Sequence, residues 1–193
     1  MIIIISGLAG SGKSTLAKGF GKELGLPVIH ASGILKQLGS KGIEEIDAKK
    51  AKAGRGFWES GEGKEMIKKR LADNSMDKAL DKKLLEIIEN GNAVIDSKTM
   101  GYLSRRGIKI WIECGIETRA RRISSRDSIT KKIAEKKISE RDNTDKKIYK
   151  ELYGFELGKN LEKFDLVLNN ENLSAEQTLK KAIAFIKRNQ ESV

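Results

Sequence analysis

The chain has 193 residues, 38% hydrophobic and 34% charged, with 38 Lys and Arg against 27 Asp and Glu for a formal charge of +11. That length suffices for one hydrophobic core, and the composition excludes a chain too polar to fold. No apolar run approaches the ~20 residues of a membrane helix, and Cys114, the one cysteine, leaves no intramolecular disulfide and no cysteine-built zinc site.

The first apolar stretch has no basic segment before it, so a cytoplasmic, monomeric protein with no membrane partner is expected. The positive charge draws polyanions, a class that includes nucleotides and nucleic acids. Three Tyr, two Trp and five Phe accompany it, without the aromatic pattern of an RNA-binding sheet or the spacing of a zinc knuckle. The surplus therefore reads as a solvated lysine-rich surface, with nucleic acid a possible partner and not the favoured one.

In chain order, Ile2 to Ser6 predicts a strand, and Leu16, Ala17, Phe20 and Leu24 recur at helical spacing from Lys13 to Leu24. Gly25 ends that helix, and Pro27 favours extended backbone before a second strand, Val28 to His30. A helix over Ser32 to Leu38 precedes a glycine-rich stretch, Gly39 to Gly63, expected to be loop with short helical pieces. Helices follow over Glu65 to Leu71 and Met76 to Glu89. The continuous apolar runs Ala93 to Asp96 and Ile108 to Cys114 suit central parallel strands. Charged helices are expected over Glu117 to Arg126 and from Ile129 through Arg141 to Leu152, with Arg141 to Asp145 between helical segments. A last strand, Leu166 to Leu168, leads to a helix from Ser174, its N-cap, to Arg188. This alternation predicts an α/β fold, a three-layer α/β/α arrangement around a five-stranded parallel sheet. One domain is expected, with an excursion over about 32–90 and a lid over about 126–153.

Gly7-Leu8-Ala9-Gly10-Ser11-Gly12-Lys13-Ser14 matches G-x-x-x-x-G-K-[ST] between a strand and a helix, the context a phosphate loop requires. Glycines let backbone N–H groups approach phosphate oxygens, and the helix N-terminus adds partial positive charge. Gly7, Gly10, Ser11 and Gly12 form the cradle, Lys13 supplies a full charge and Thr15 approaches the α-phosphate. The Ser14 hydroxyl would join Mg²⁺ between the outer phosphates. The absence of an N-K-x-D motif argues against a GTPase.

Transfer to a second nucleotide would require cations at the strand ends to screen two polyanions. Lys36 and Lys98 follow the second and third apolar strands and are the candidates for the acceptor phosphate, with Ser32 nearby. Asp96 either binds Mg²⁺, directly or through water, or caps its turn. Arg119, Arg122 and Arg126 fall on one helix face, and Arg122 and Arg126 are assigned to the donor. Arg141, with Asp145 beyond it, would reach the transferred phosphate from a closing lid. His30, the sole histidine, is expected to be packed. An acceptor phosphate is already ionised and needs no general base.

These motifs and their order resemble the nucleoside monophosphate kinases, and most closely the archaeal-type cytidylate kinases. The opening I-I-S-G-L-A-G-S-G-K-S, the E-x-R-A-x-R-I-x-x-R of Glu117 to Arg126, the E-R-D-x-x-D of Glu140 to Asp145 and the segment Ile148 to Gly154 carry the resemblance, together with Phe164 to Leu168 and Leu173-Ser174. It implies transfer of the ATP γ-phosphate to CMP or dCMP with Mg²⁺, an acceptor region around Ser32 to Leu85 and a lid around Arg126 to Tyr153. The chain departs from that pattern where Lys36 and Lys98 replace arginines and where Ile148 stands three positions beyond the lid aspartate. The Gly54 to Gly63 stretch, with Phe57 and Trp58, reads as an insertion in the acceptor region.

Overall fold

The structure, a computed structural model, describes residues 1–38, 46–52 and 57–190, apart from the side chains of residues 59 and 190. Part of the expected glycine-rich loop and insertion lies outside these residues. Five parallel strands form one sheet: β1 (Ile2–Gly7), β2 (Val28–His30), β3 (Ala93–Asp96), β4 (Ile108–Glu113) and β5 (Leu166–Asn169). They run in the order β2-β3-β1-β4-β5. Its isoleucine run makes β1 the central strand: Ile3, Ile4 and Ile5 are fully buried, and alternate residues enter opposite faces of the sheet.

On one face, α1 (Lys13–Leu24) and α8 (Ala175–Gln190) cover Ile3, Ile5, Val94 and Ile112 through Phe20, Ala182 and Ile186. Ser174 caps α8, its Oγ accepting from the Gln177 N–H at 3.1 Å while Gln177 Oε1 accepts from the Ser174 N–H at 2.9 Å. This reciprocal pair satisfies two backbone donors. On the other face, α2 (Ala31–Leu38), α3 (Gly61–Ala72), α4 (Ser75–Asn90) and α5 (Met100–Leu103) bury Ile34, Met66, Leu84, Ile88 and Met100 against Ile2, Ile4 and Ile95. The expected three layers are therefore present.

Beyond the sheet's carboxyl end, α6 (Ile116–Asp127) packs on α7 (Lys131–Tyr153) through Ala120, Ile123, Ala134 and Ile138. The expectation that Arg141 to Asp145 separates two helices is overturned, because α7 is continuous across it. Ala134, Ile138, Asp142, Asp145, Ile148 and Tyr149 form its buried face at helical spacing, with two carboxylates in an otherwise apolar stripe. α3 begins at Gly61, within the stretch expected to be loop with short helical pieces. Ser60 caps that helix by accepting from the Gly63 N–H at 3.1 Å, and a Cβ at Gly63 would lie 2.1 Å from the Phe57 carbonyl oxygen. Glycine there marks a close crossing of the short 3₁₀ turn Phe57–Glu59. Among the described residues no helix is long and apolar enough to cross a membrane.

Candidate active site

The loop joining β1 to α1 takes positive φ at Gly7, Gly10 and Gly12. A side chain at Gly7 would meet the Ile112 carbonyl oxygen at 2.6 Å, so the glycine is sterically required. Donors engage three carbonyls of the loop. Lys13 Nζ donates to Leu8 at 2.8 Å, Arg119 Nη1 to Ala9 at 3.1 Å, and both Arg122 Nη1 (3.1 Å) and Asn170 Nδ2 (2.9 Å) to Ser11. Gly12 begins α1 without a side-chain cap, leaving the first N–H groups of that helix available to an anion. Burial lowers the Lys13 ammonium to a pKa of about 7; Asp96 opposes this, while Lys98 and Arg141 add to it. A polyphosphate would restore its full charge.

Register sets the corner beside this loop. Asp96 pairs with Ile5 on one side and with His30 on the other, so the ends of β1, β2 and β3 converge. Asp96 Oδ2 accepts from Ser14 Oγ at 2.6 Å and lies 2.8 Å from His30 Nδ1. An ionised carboxylate only accepts, so His30 carries its proton on Nδ1. Burial pushes the Asp96 carboxyl up, but the His30 hydrogen bond and the Lys13 charge outweigh it and hold the group below the usual carboxylate range. Among the described residues no cluster of three His, Cys, Asp or Glu could hold a metal alone. One hydroxyl beside one ionised carboxylate nevertheless fits Mg²⁺, which takes few protein ligands and completes its shell with phosphate oxygens and water.

Two cavities meet at this loop and share Gly10, Lys13, Ser14 and Arg126. The first also has Ser32, Trp58, Arg70, Asp96, Lys98, Arg141 and Asp145 in its wall. The second has Thr15, Arg122, Asn170, Ser174 and Thr178. The arrangement offers one polyanion site on each side of Lys13.

A chain of buried charges lines the first cavity. Arg70 on α3 is held by Asp77 on α4, with Nε to Oδ2 at 3.0 Å and Nη2 to Oδ1 at 2.7 Å, and Nη2 reaches Asp145 Oδ1 on α7 at 3.2 Å. The other Asp145 oxygen takes the Lys98 ammonium. Burial alone would raise the Asp145 carboxyl, but Lys98, Arg70 and Arg141 together hold it far below the ordinary range. Burial lowers Lys98, with Asp145 acting against that shift. Arg141 lies over the Trp58 ring, 4.9 Å from its centroid.

The residues expected from sequence divide accordingly. Gly7, Gly10, Ser11, Gly12, Lys13, Ser14 and Asp96 assemble around one loop, Thr15 and Arg122 enter the second cavity, and Ser32, Lys98, Arg141 and Asp145 enter the first. Arg126 stands on the rim shared by both and pairs with Asp127 at 2.6 Å. Lys36 is not brought to the cavity: it is exposed, its Nζ 5.0 Å from the centroid of the Phe57 ring. Helical phase explains the difference, since Leu35 takes the inward position of α2. Arg70, Asp77, Asp142 and Tyr149 went unrecognised in the sequence, and His30 proved to be both packed and bonded to Asp96. The signal that could have found the first four is polar residues on the buried stripes of α3, α4 and α7.

A parallel α/β sheet, a phosphate loop at its switch point and paired anion cavities define a P-loop kinase of the nucleoside monophosphate class. Residues 2–172 match the model of the cytidylate kinase-like family, and the chain belongs to that family. It is 30% identical to a cytidylate kinase of Pyrococcus horikoshii over 91% of this chain and 83% of the relative. A cytidylate kinase of Sulfurisphaera tokodaii is 33% identical over 96% and 95% of the two chains. Among solved structures, shikimate kinase from Acinetobacter baumannii superimposes with a TM-score of 0.58 at 14% identity, covering 97% of this chain and 93% of that one, a likeness of fold.

Proposed function

We propose that the protein transfers the γ-phosphate of ATP to CMP or dCMP. The observation that carries this reading is the pair of cavities meeting at Lys13, one bounded by the phosphate loop and α8, the other rich in cations from four helices and a strand end. The cytidylate kinase relatives support a cytidine nucleotide as acceptor.

On this reading the second cavity takes ATP, with loop N–H groups and Lys13 on its outer phosphates, Thr15 near the α-phosphate and Arg122 and Arg126 on the donor side. Ser14 and Asp96 would hold Mg²⁺, which supplies charge neutralisation between the outer phosphates. The acceptor enters the first cavity, where Ser32, Lys98, Arg141 and Asp145 bind and orient it. Lys13 stands where the cavities join and Arg141 lies near it in the wall of the first, so charge developing on the transferred group meets fixed cations. The ionised acceptor oxygen attacks the γ-phosphorus, the bond to the β-phosphate oxygen breaks, and ADP leaves.

ADP formation from ATP, measured with CMP, dCMP, UMP and AMP separately, tests the proposal. Turnover should be greatest with CMP or dCMP. Equal ADP formation with and without every acceptor would refute it.

A further inference from the structure

Resting on that reading, we infer that Arg70 is an acceptor-phosphate ligand, a guanidinium supplied from α3 and aimed by Asp77. Its Nε and Nη2 are committed to the Asp77 fork, with Nη2 also reaching Asp145 and, at 3.4 Å, the Tyr149 hydroxyl. Nη1 has no hydrogen-bond partner among the described residues. Nor is it sealed away, for among the described residues the enclosed side-chain polar atoms without partners are Ser11 Oγ, Trp58 Nε1 and Arg119 Nε. Arg70 itself is only 3% exposed and lines the first cavity. A buried arginine with one edge fixed by a carboxylate and one nitrogen left open is a preorganised anion ligand.

The surroundings fit an incoming phosphate. Arg70 and Lys98 converge on Asp145, one on each carboxylate oxygen, and Arg141 adds charge nearby. Those two oxygens show where two oxygens of a phosphate would find partners. Asp145 thus serves as counter-ion until the acceptor arrives, and the incoming anion shares or takes over its cations.

The position also answers a deficit. Lys36 lies outside the cavity, Lys98 is a point charge without a fork, and Ile148 is buried among Tyr102, Trp111, Tyr149 and Phe155. None of the three supplies a guanidinium to the cavity, whereas Arg70 does.

The test replaces the buried pair together, in Arg70→Met/Asp77→Leu, because removing one charge would strand the other and confound folding with binding. Loss of one charge-assisted contact should raise KM for CMP about 10- to 100-fold, while KM for ATP stays within about twofold. Inorganic phosphate should compete with CMP against the wild-type chain and compete less well against the variant. A folded double variant with unchanged KM for CMP would overturn the assignment and leave Arg70 a purely structural ion. Should the double variant not fold, Arg70→Lys decides in the same way, since losing the fork raises KM for CMP and an unchanged value refutes the role. If the wild-type chain phosphorylates no monophosphate, the proposed function fails separately. Calorimetric binding of CMP and inorganic phosphate to wild type and variants then decides for or against Arg70 alone.

Discussion

Asp142 and Arg119 together clamp Ala9 of the phosphate loop. Asp142 Oδ1 accepts the Ala9 N–H at 3.3 Å, Arg119 Nη1 donates to the Ala9 carbonyl at 3.1 Å, and the two side chains bond each other. A carboxylate of α7 thereby holds a residue 133 positions away. Asp142→Ala should strand the buried Arg119 charge and lower stability by about 3–5 kcal/mol. It should also raise KM for ATP through the loosened loop. Urea unfolding and nucleotide titration measure the two effects; a stability loss under 1 kcal/mol would mean the pair behaves like a surface ion pair.

His30 acts on Asp96 from outside the phosphate site. Loss of the partner that orients a metal-binding carboxylate typically weakens metal affinity 10- to 100-fold. His30→Ala should therefore raise the Mg²⁺ concentration for half-maximal activity about tenfold, with little change in kcat at saturating Mg²⁺. His30→Asn, whose amide can donate from near the Nδ1 position, should recover part of the loss. An unchanged Mg²⁺ requirement in the alanine variant would leave His30 a packing residue.

Lys36 and Lys98 should differ sharply although both follow strands. Lys36→Met removes an exposed charge packed on Phe57 and should leave KM for CMP within about twofold. Lys98→Met removes a cation from the cavity wall and should raise that constant more than tenfold. Steady-state kinetics with CMP as the varied substrate distinguishes them, and equal effects would contradict the exclusion of Lys36 from the site.

Asp81 on α4 accepts from Thr99 Oγ1 at 2.7 Å and from the Tyr153 hydroxyl at 2.8 Å, which ties α4 to the end of α7. Burial lifts its carboxyl to about 6 from 3.8, against those two hydrogen bonds. With the folded value raised, the native protein holds a proton that the unfolded chain releases between these limits. Asp81 therefore contributes stability below pH 3.8 that is lost as pH rises through about 6. The contribution is at most about 3 kcal/mol. Urea midpoints of wild type and Asp81→Asn, compared at pH 4.5 and 7.5, should converge or cross as pH rises; a constant difference would show that Asp81 does not titrate there.

Much of the sheet was readable because its strands are uninterrupted apolar runs. Val28 to His30 and Ala93 to Asp96 form with the expected bounds, as does the helix Lys13 to Leu24. The donor loop was equally legible, since all its members lie within one short segment. The first cavity was legible only in part, for Ser32, Lys98, Arg141 and Asp145 were expected there and Arg70 and Asp77 were not. Arg70, Asp77, Lys98 and Asp145 come from four separate elements, and their identity as one cluster exists only after α3, α4 and α7 have packed. Charged residues on helices are ordinarily solvent-facing, so local pattern gave no cue that Arg70 and Asp77 were buried. Lys36 shows the reverse case: its position after a strand suggested the site, and the phase of α2 leaves it exposed beside the Phe57 ring.

The three carbonyls held at Leu8, Ala9 and Ser11 have a consequence for how the loop meets its ligand. Lys13 of α1 fastens the first, Arg119 of α6 the second, and Arg122 of α6 with Asn170 the third, so the peptide dipoles of the loop are oriented at folding and not at binding. The reorganisation free energy that a flexible loop would spend when gripping a phosphate is already met. The loop is thus a standing electric field, and arrival of the nucleotide need displace little more than water and the hydrogen bond of Lys13 to Leu8.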